Sequence, residues 1–320
     1  MAHACELLSV ARSGYYRHLH RRPRDLTALQ DAIEKIVVDQ VCYGYRRVTA
    51  ELRRAGWHVN HKCVLRIMRR ESWLCRMARR TRRTTDSNHP HPVYPNLIRG
   101  LPITGLHQVW VADLTYIRLP EEFVFLAVIL DAHSRRVVGW ALSRRLDTSL
   151  TLAALDRALR SRRPPAGLIH HSDQGVQYAA ADYVARAQQA GLQLSMSRRS
   201  CPLENAQAES FFRTLKVEQV YLTEYRDLAD AQQQLRRFIE QVYNRKRLHS
   251  SLGYVPPVEF EETLAAEKKE SAPVGRPSAP PSGTPRPRRE HSSLAPTHVS
   301  THGRPGRETR GAPIAVAGSP

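Results

Sequence analysis

The stretch Gln108-Val-Trp-Val-Ala-Asp113-Leu-Thr-Tyr-Ile117 decides the fold. Apolar and β-branched residues surround one carboxylate, so the stretch reads as a buried strand with an acid at its middle. A buried carboxylate without a counter-charge is costly, so Asp113 is expected to face a metal ion or a cation. Two further acids sit in local signatures of their own. Ile169-His-His-Ser-Asp173-Gln-Gly175 is a short strand running into a turn. Asn205-Ala-Gln-Ala-Glu209-Ser-Phe-Phe-Arg-Thr-Leu-Lys216 is a helix-forming run with Asn205 placed as its N-cap. There are 59 residues between Asp113 and Asp173 and 35 between Asp173 and Glu209. Two strand ends and one helix can bring such distant acids together.

The intervening chain supplies the rest of a core. Residues 123–130 and 136–141 read as strands, with Asp131-Ala-His-Ser134 as the turn between them. Residues 148–160 carry leucine and alanine at helical spacing, with Asp147 or Thr148 available as the cap. The expected order is strand, strand, strand, helix, strand, helix, an α/β arrangement.

Most single Asp and Glu residues are solvated or capping, and it is the conjunction of three that argues for chemistry. Breaking a phosphodiester needs in-line attack and charge stabilisation on the phosphoryl and leaving oxygens, which two magnesium ions about 3.5–4 Å apart can supply. Magnesium takes oxygen ligands, and one or two carboxylates per ion suffice when substrate phosphates and water complete the shell. The expectation is that Asp113 bridges two Mg2+ ions, Asp173 holds one and Glu209 the other, with Mn2+ able to substitute. Lys216 follows Glu209 by seven residues, about two helical turns and roughly 10 Å along the axis, so both face one way. It suits a phosphate clamp, and equally a solvated lysine favoured by the helix dipole.

Charge points to the same partner. The 320 residues hold 49 Lys and Arg against 30 Asp and Glu, a formal charge of +19. Such an excess favours a polyanion, because each neutralised phosphate releases counterions. No apolar run of about 18 residues and no signal peptide is visible, so a cytoplasmic, nucleoid-associated protein without a membrane partner is expected. Five scattered cysteines (Cys5, Cys42, Cys63, Cys75 and Cys201) argue against a disulfide framework. His58, His61, Cys63 and Cys75 lack the paired spacing of a zinc site, and no structural zinc is expected.

Residues 1–85 read as a basic, helical, DNA-binding region. Helices are expected over 26–40, with Leu29, Ile33, Ile36 and Val37 on one side, over 46–55, ended by Gly56, and over 61–70, capped by Asn60. The last two suit a helix-turn-helix whose second helix enters a major groove, although a small helical bundle shares the pattern. Arg46, Arg47, Arg53, Arg54, Arg66, Arg69 and Arg70 favour DNA contact. A basic run over 76–83 leads into a proline-rich linker, 86–105, and then the core, 106–262. Within the core, 228–247 reads as one long helix with Leu235, Phe238, Ile239 and Val242 inward, and Gly253, Pro256 and Pro257 close the domain. Residues 268–320 are rich in Pro, Ser and Arg and too poor in apolar residues to offset their ordering entropy, so disorder is expected there.

Together these segments resemble the insertion-sequence DDE transposases of the retroviral-integrase superfamily, specifically the catalytic subunit from the second reading frame (OrfB type). The resemblance spans most of residues 5–262. It rests on Trp110-Val-Ala-Asp113-Leu-Thr-Tyr116, Leu130-Asp-Ala-His-Ser134, His171-Ser-Asp173-Gln-Gly-Val-Gln-Tyr178, Asn205-Ala-Gln-Ala-Glu209 and Tyr243-Asn-Arg-Lys-Arg247-Leu-His249-Ser-Ser-Leu-Gly-Tyr254. It implies an RNase-H-like catalytic core, a mixed five-stranded sheet with flanking helices, preceded by a small all-α helix-turn-helix-type domain. It also implies a catalytic triad of Asp113, Asp173 and Glu209, with Lys216 as the basic residue beyond it. The implied activity is metal-dependent strand cleavage and strand transfer at the ends of an insertion sequence. Implied partners are terminal inverted repeats, target DNA, the upstream reading-frame product and further copies of the chain. An RNase-H-type nuclease and a DNA-binding regulator with a decayed core are the alternative readings. One departure from the family is Ser197-Arg-Arg-Ser200-Cys-Pro-Leu-Glu204, which stands where the family carries a glycine and an Asp-Asn pair.

Overall fold

The computed structural model describes residues 2–19, 25–74, 92–198 and 201–270. Cys75, the basic run over 76–83, the start of the linker, Ser200 and the tail from residue 271 lie outside the described residues.

Helices α1 (Ala2–Leu7) and α2 (Arg12–Leu19) precede a three-helix unit of α3 (Thr27–Asp39), α4 (Tyr45–Arg54) and α5 (His61–Arg70). The boundaries lie within one residue of those expected. Asn60 caps α5 through its side chain, which accepts from the Lys62 N–H at 2.8 Å. Gly56 adopts φ +86°, which lets the chain reverse after α4. Leu29, Ile33, Val48, Leu52, Val64, Ile67 and Met68 form the apolar centre of this unit. Leu248, from far along the chain, is part of the same cluster.

The core begins with β1 (Val109–Arg118), β2 (Phe123–Asp131) and β3 (Val137–Ser143), followed by α6 (Thr148–Arg162) and β4 (Ile169–Ser172). Then come α7 (Val176–Ala179), α8 (Ala181–Gln189), β5 (Gln193–Met196) and α9 (Ala206–Glu218). Among the described residues five strands form one sheet in the order β3-β2-β1-β4-β5. β1 to β3 are antiparallel neighbours, and β4 and β5 add in parallel to β1. This is the RNase-H-like arrangement, and it follows from the connections. Tight turns join the first three strands, whereas the parallel ones need α6 and α8 as crossovers.

Strand alternation divides the core into two layers. Val109, Val111 and Ile117 pack with Ala208, Phe211 and Leu215 of α9, and Trp110 and Ala112 pack with Leu155, Ala158 and Tyr183. At Gly139 a Cβ would lie 2.3 Å from the Ala154 carbonyl oxygen, so only glycine lets α6 sit this close to β3. The turn after β2 is held by Asp131, whose Oδ1 accepts from the His133 and Ser134 N–H groups, both at 3.0 Å. Asp147 takes the N-cap position of α6, but its carboxylate accepts from the Ser149 hydroxyl and makes no backbone cap bond.

Two expectations are corrected. Residues 228–247 are not one regular helix: α10 (Leu228–Arg237) gives way to a π-helical turn at Phe238–Tyr243. The wider turn inserts a residue. Asn244 then meets β3, where its amide donates to the Val137 carbonyl at 3.1 Å and accepts from the Val137 N–H at 3.0 Å. Leu235, Phe238 and Ile239 are buried as expected, while Val242 is half-buried. Nor does the chain close at Pro257, which instead starts α11 (Pro257–Glu270). No helix among the described residues is long and apolar enough to cross a membrane.

Candidate active site

Parallel pairing of β1 with β4 sets Val111 opposite His171. Two residues beyond that pair, where β1 runs on and β4 gives way to a turn, come Asp113 and Asp173. β4 ends at Ser172, so Asp173 lies in the turn at the strand's carboxyl end. There the Gly175 N–H donates to Asp173 Oδ1 at 3.0 Å. A Cβ on residue 175 would stand 2.9 Å from that same oxygen, so any larger residue here would push the Asp173 carboxylate aside.

The third acid arrives through Asn205. Its side-chain amide donates to the Ala112 carbonyl at 3.1 Å, tying the start of α9 to β1 one residue from Asp113. This corrects the expected role of Asn205. It occupies the N-cap position without a side-chain cap bond and acts as a helix-to-strand tie. Glu209 follows one helical turn later on the same element.

Electrostatics record the convergence. Burial first, and then the neighbouring Asp173 carboxylate, push the Asp113 carboxyl up to about 8. Glu209 adds to the rise, and the Leu114 N–H, donating to Asp113 at 2.8 Å, opposes it. Glu209, the most open of the three, is raised by partial desolvation. The acids share one field without forming a closed ligand set. Among the described residues, no three His, Cys, Asp or Glu side chains are drawn tight enough to hold a metal ion by themselves.

Lys216 stands on the same helix as Glu209, two turns on. Its Nζ lies 5.1 Å from the centroid of the Tyr116 ring, and that ring meets Phe123 edge-on at 5.7 Å. A cation over an aromatic face is held by the ring quadrupole. Burial lowers the Lys216 pKa, and the charge of Asp113 opposes the fall. Tyr116 carried no functional signal in the sequence beyond its place on β1 and in the first segment of the resemblance.

Two more residues shape the site from behind. Burial pushes His170 down to about 3 and His171 down to about 4, so both are neutral at physiological pH. His171 Nδ1 shares a hydrogen bond with Ser195 Oγ at 2.9 Å, joining β4 to β5 beside Asp173, and Ser195 Oγ accepts from the Leu97 N–H. Paired histidines in a short apolar strand were the sequence signal for these buried polar contacts. In the loop before α9, the Glu204 carboxylate accepts from Arg198 N at 2.7 Å and from Arg198 Nε at 2.8 Å, bonds that hold it down to about 2. Glu204 thus staples the loop.

The seven arginines of the helical region divide. Arg46, Arg53, Arg66 and Arg69 are exposed on α4 and α5. Arg70 is also exposed but pairs with Glu71 at 2.7 Å. Arg54 makes a two-pronged contact with Glu259 at 2.9 and 2.7 Å. Arg47 turns inward, where its Nε donates to the Leu248 carbonyl at 3.1 Å. The structure therefore does not place Arg47 on the outer face with the other basic residues. Of the zinc candidates, His58, His61 and Cys63 lie on or beside α5 in the described residues, and Cys75 lies outside them.

The matches to known proteins follow the same division. Residues 104–202 and 190–257 each match an Integrase core domain family, and residues 23–81 match an HTH-like domain. A relative of Shigella sonnei, the insertion element IS600 uncharacterized 31 kDa protein, is 40% identical over 264 residues, covering 81% of this chain and 97% of the relative. The transposase InsF for insertion sequence IS3A of Escherichia coli (strain K12) is 36% identical over 265 residues, 80% of this chain and 92% of the relative. Among solved structures, the catalytic core domain of BIV integrase aligns at 17% identity with a TM-score of 0.39, covering 51% of this chain and 99% of that one. The sequence relatives carry the assignment: this chain belongs to the insertion-sequence DNA transposases, enzymes of the DDE polynucleotidyl-transferase type with an integrase core and an HTH-like domain ahead of it.

Proposed function

We propose that this transposase cleaves one strand at each end of its element and joins the freed 3′-hydroxyl to another phosphodiester, with Asp113, Asp173 and Glu209 as the catalytic carboxylates. The observation that carries the proposal is the parallel pairing of β1 with β4, which brings Asp113 and Asp173 to the same end of the two strands, with Glu209 acting on the Asp113 carboxyl as well. Three carboxylates, one of them pushed up to about 8 first by burial and then by Asp173, are a donor set that suits hard divalent cations. Asp113, Asp173 and Glu209 would hold Mg2+, or Mn2+ in its place, with phosphate oxygens and water completing the shells. When bound, such ions stabilise charge on the phosphoryl and leaving oxygens.

The chain's own residues do the placing. Gly175 fixes the Asp173 turn, Asn205 fixes the α9 start against β1, and Lys216, pinned by Tyr116, offers its charge to a phosphate beside Asp113. The helical region to about residue 85 would contact duplex DNA through Arg46, Arg53, Arg66, Arg69 and Arg70, with the core at 106–262 performing the chemistry. Terminal inverted repeats and target DNA are the substrates in this reading. The upstream reading-frame product assists recognition, and two or more copies assemble because two DNA ends must meet. A formal charge of +19 supports association with the nucleoid.

The test mixes the purified protein and Mg2+ with a labelled duplex carrying the element's end. A joined, longer product is expected. Cutting of any duplex without joining would instead mark a nuclease, and a shifted but uncut probe a regulator.

A further inference from the structure

Among the described residues, the best-buried charge cluster outside the site lies where the helical unit meets the far end of α9. Arg247, with 6% of its side chain exposed, donates from Nε and from a terminal nitrogen to Glu218, both at 2.8 Å, and reaches Thr214 Oγ1 at 3.3 Å. Glu218 is the last residue of α9, and Thr214 is one turn before it. From the other side Arg47 of α4 comes within 3.9 Å of Glu218, lies 5.5 Å from the Tyr43 ring centroid and donates to the Leu248 carbonyl. The Tyr43 hydroxyl accepts from the Leu248 N–H at 2.9 Å. The helical unit thus grips both backbone groups of Leu248 and the charge that ends α9. Glu209 and Lys216 ride on that helix, with Lys216 only two residues from Glu218.

Two arginines facing one glutamate do not cancel in charge, and removing either partner of a buried pair leaves the remainder exposed to a large penalty. Such a cluster defines position sharply. A helix held at its start by Asn205 and at its end by Glu218 cannot slide or fray without breaking one of these ties.

We propose that Arg47, together with Glu218 and Arg247, is a positioning residue for catalysis: it couples the HTH-like unit to the helix that carries Glu209 and Lys216, and it does not contact DNA. The inference rests on the proposed catalytic role of that helix. It reverses the role that the sequence pattern assigned to Arg47, and the two roles have different signatures. A lost phosphate contact weakens duplex binding and reduces the salt dependence by about 0.9 in log–log slope. A lost positioning contact leaves both unchanged and slows the bound complex.

Arg47→Gln in the full chain is the test. Expected are duplex affinity and salt slope within twofold of the parent, a cleavage rate at saturating DNA at least tenfold lower, and amide exchange over 215–218 at least tenfold faster with β1 unchanged. Glu218→Gln is expected to reproduce the rate loss and the faster exchange. Parental exchange over 215–218, or a reduced salt slope with a parental rate for bound DNA, would overturn the proposal. If Arg47→Gln fails to fold, Glu218→Asp, which keeps the charge but shortens its reach, gives the same readouts, and parental values for it would overturn the coupling. Asp113→Asn run beside these separates the two claims. Cleavage by that variant would refute the triad, whereas the exchange data judge the coupling independently of the chemistry.

Discussion

Asp113→Asn is expected to lower strand cleavage by at least ~10³-fold while leaving duplex binding within a factor of two, because it removes a proposed catalytic carboxylate and leaves every basic residue in place. The loss cannot be assigned to misfolding if stability moves the other way, and it should. The folded pKa of Asp113 is about 8, above its ordinary value, so the folded chain holds a proton that the unfolded chain has released. Stability of the metal-free protein therefore falls as pH rises from about 4 to about 8. Asparagine removes that penalty. At pH 8 without divalent ions the variant should be more stable than the parent by ~1–2 kcal/mol, a figure well below the full shift because the half-buried group is partly screened by water. At pH 4 the difference should vanish. A variant that cleaves near the parental rate, or that is destabilised at pH 8, would contradict this account of the site.

The second large effect is structural. Glu261 of α11 is 7% exposed and accepts from Ser134 Oγ at 2.7 Å and from Arg136 at 2.6 Å, and its carboxylate also pairs with Arg162 of α6. Burial alone would raise its pKa, but Arg162, Ser134 and Arg136 outweigh burial and hold it below the ordinary value. Glu261→Ala leaves Arg162 and Arg136 without their shared carboxylate and the Ser134 hydroxyl without the acceptor of its proton. Breaking a buried pair typically costs ~3–5 kcal/mol, and partial exposure of Arg136 places this case near the lower end, about 3 kcal/mol. For a domain of this size that is a melting temperature lower by roughly 6–12 °C. Glu261→Gln, which keeps the volume and can keep the Ser134 bond, should fall between. The sign with pH is opposite to that of Asp113, since a depressed carboxylate gives stability that is lost as pH drops through its folded pKa. A thermal scan showing Glu261→Ala within 1 °C of the parent would remove α11 from the list of elements that hold the core.

What was legible in the sequence depended on locality. Helices α3 to α5 have an apolar period and nearby punctuation at Gly56 and Asn60, so their limits could be read within a residue. Asp113 stood out because β1 is apolar around it, and Asp173 because Gly175 marks a turn two residues on. Their adjacency became certain only with the β1–β4 register, which pairs residues 60 positions apart. Arg47 shows the same limit in reverse. Its near neighbours on α4 are exposed arginines, while its partner, the Leu248 carbonyl, lies 201 positions away. Asn205 has the residue type and position of an N-cap, and nothing local reveals that a strand 93 positions earlier claims its amide. The π-helical turn at Phe238–Tyr243 likewise answers to Asn244 docking on β3, 107 positions earlier. Residues whose roles depend on distant backbone groups carry no periodic or compositional mark.

The most direct measurement of the central claim is the number of Mn2+ ions bound by the protein on end-sequence DNA, counted by electron paramagnetic resonance in the parent and in Asp113→Asn. The account predicts two ions per active chain for the parent and fewer than one for the variant. Two ions retained by Asp113→Asn, or none held by the parent, would contradict it.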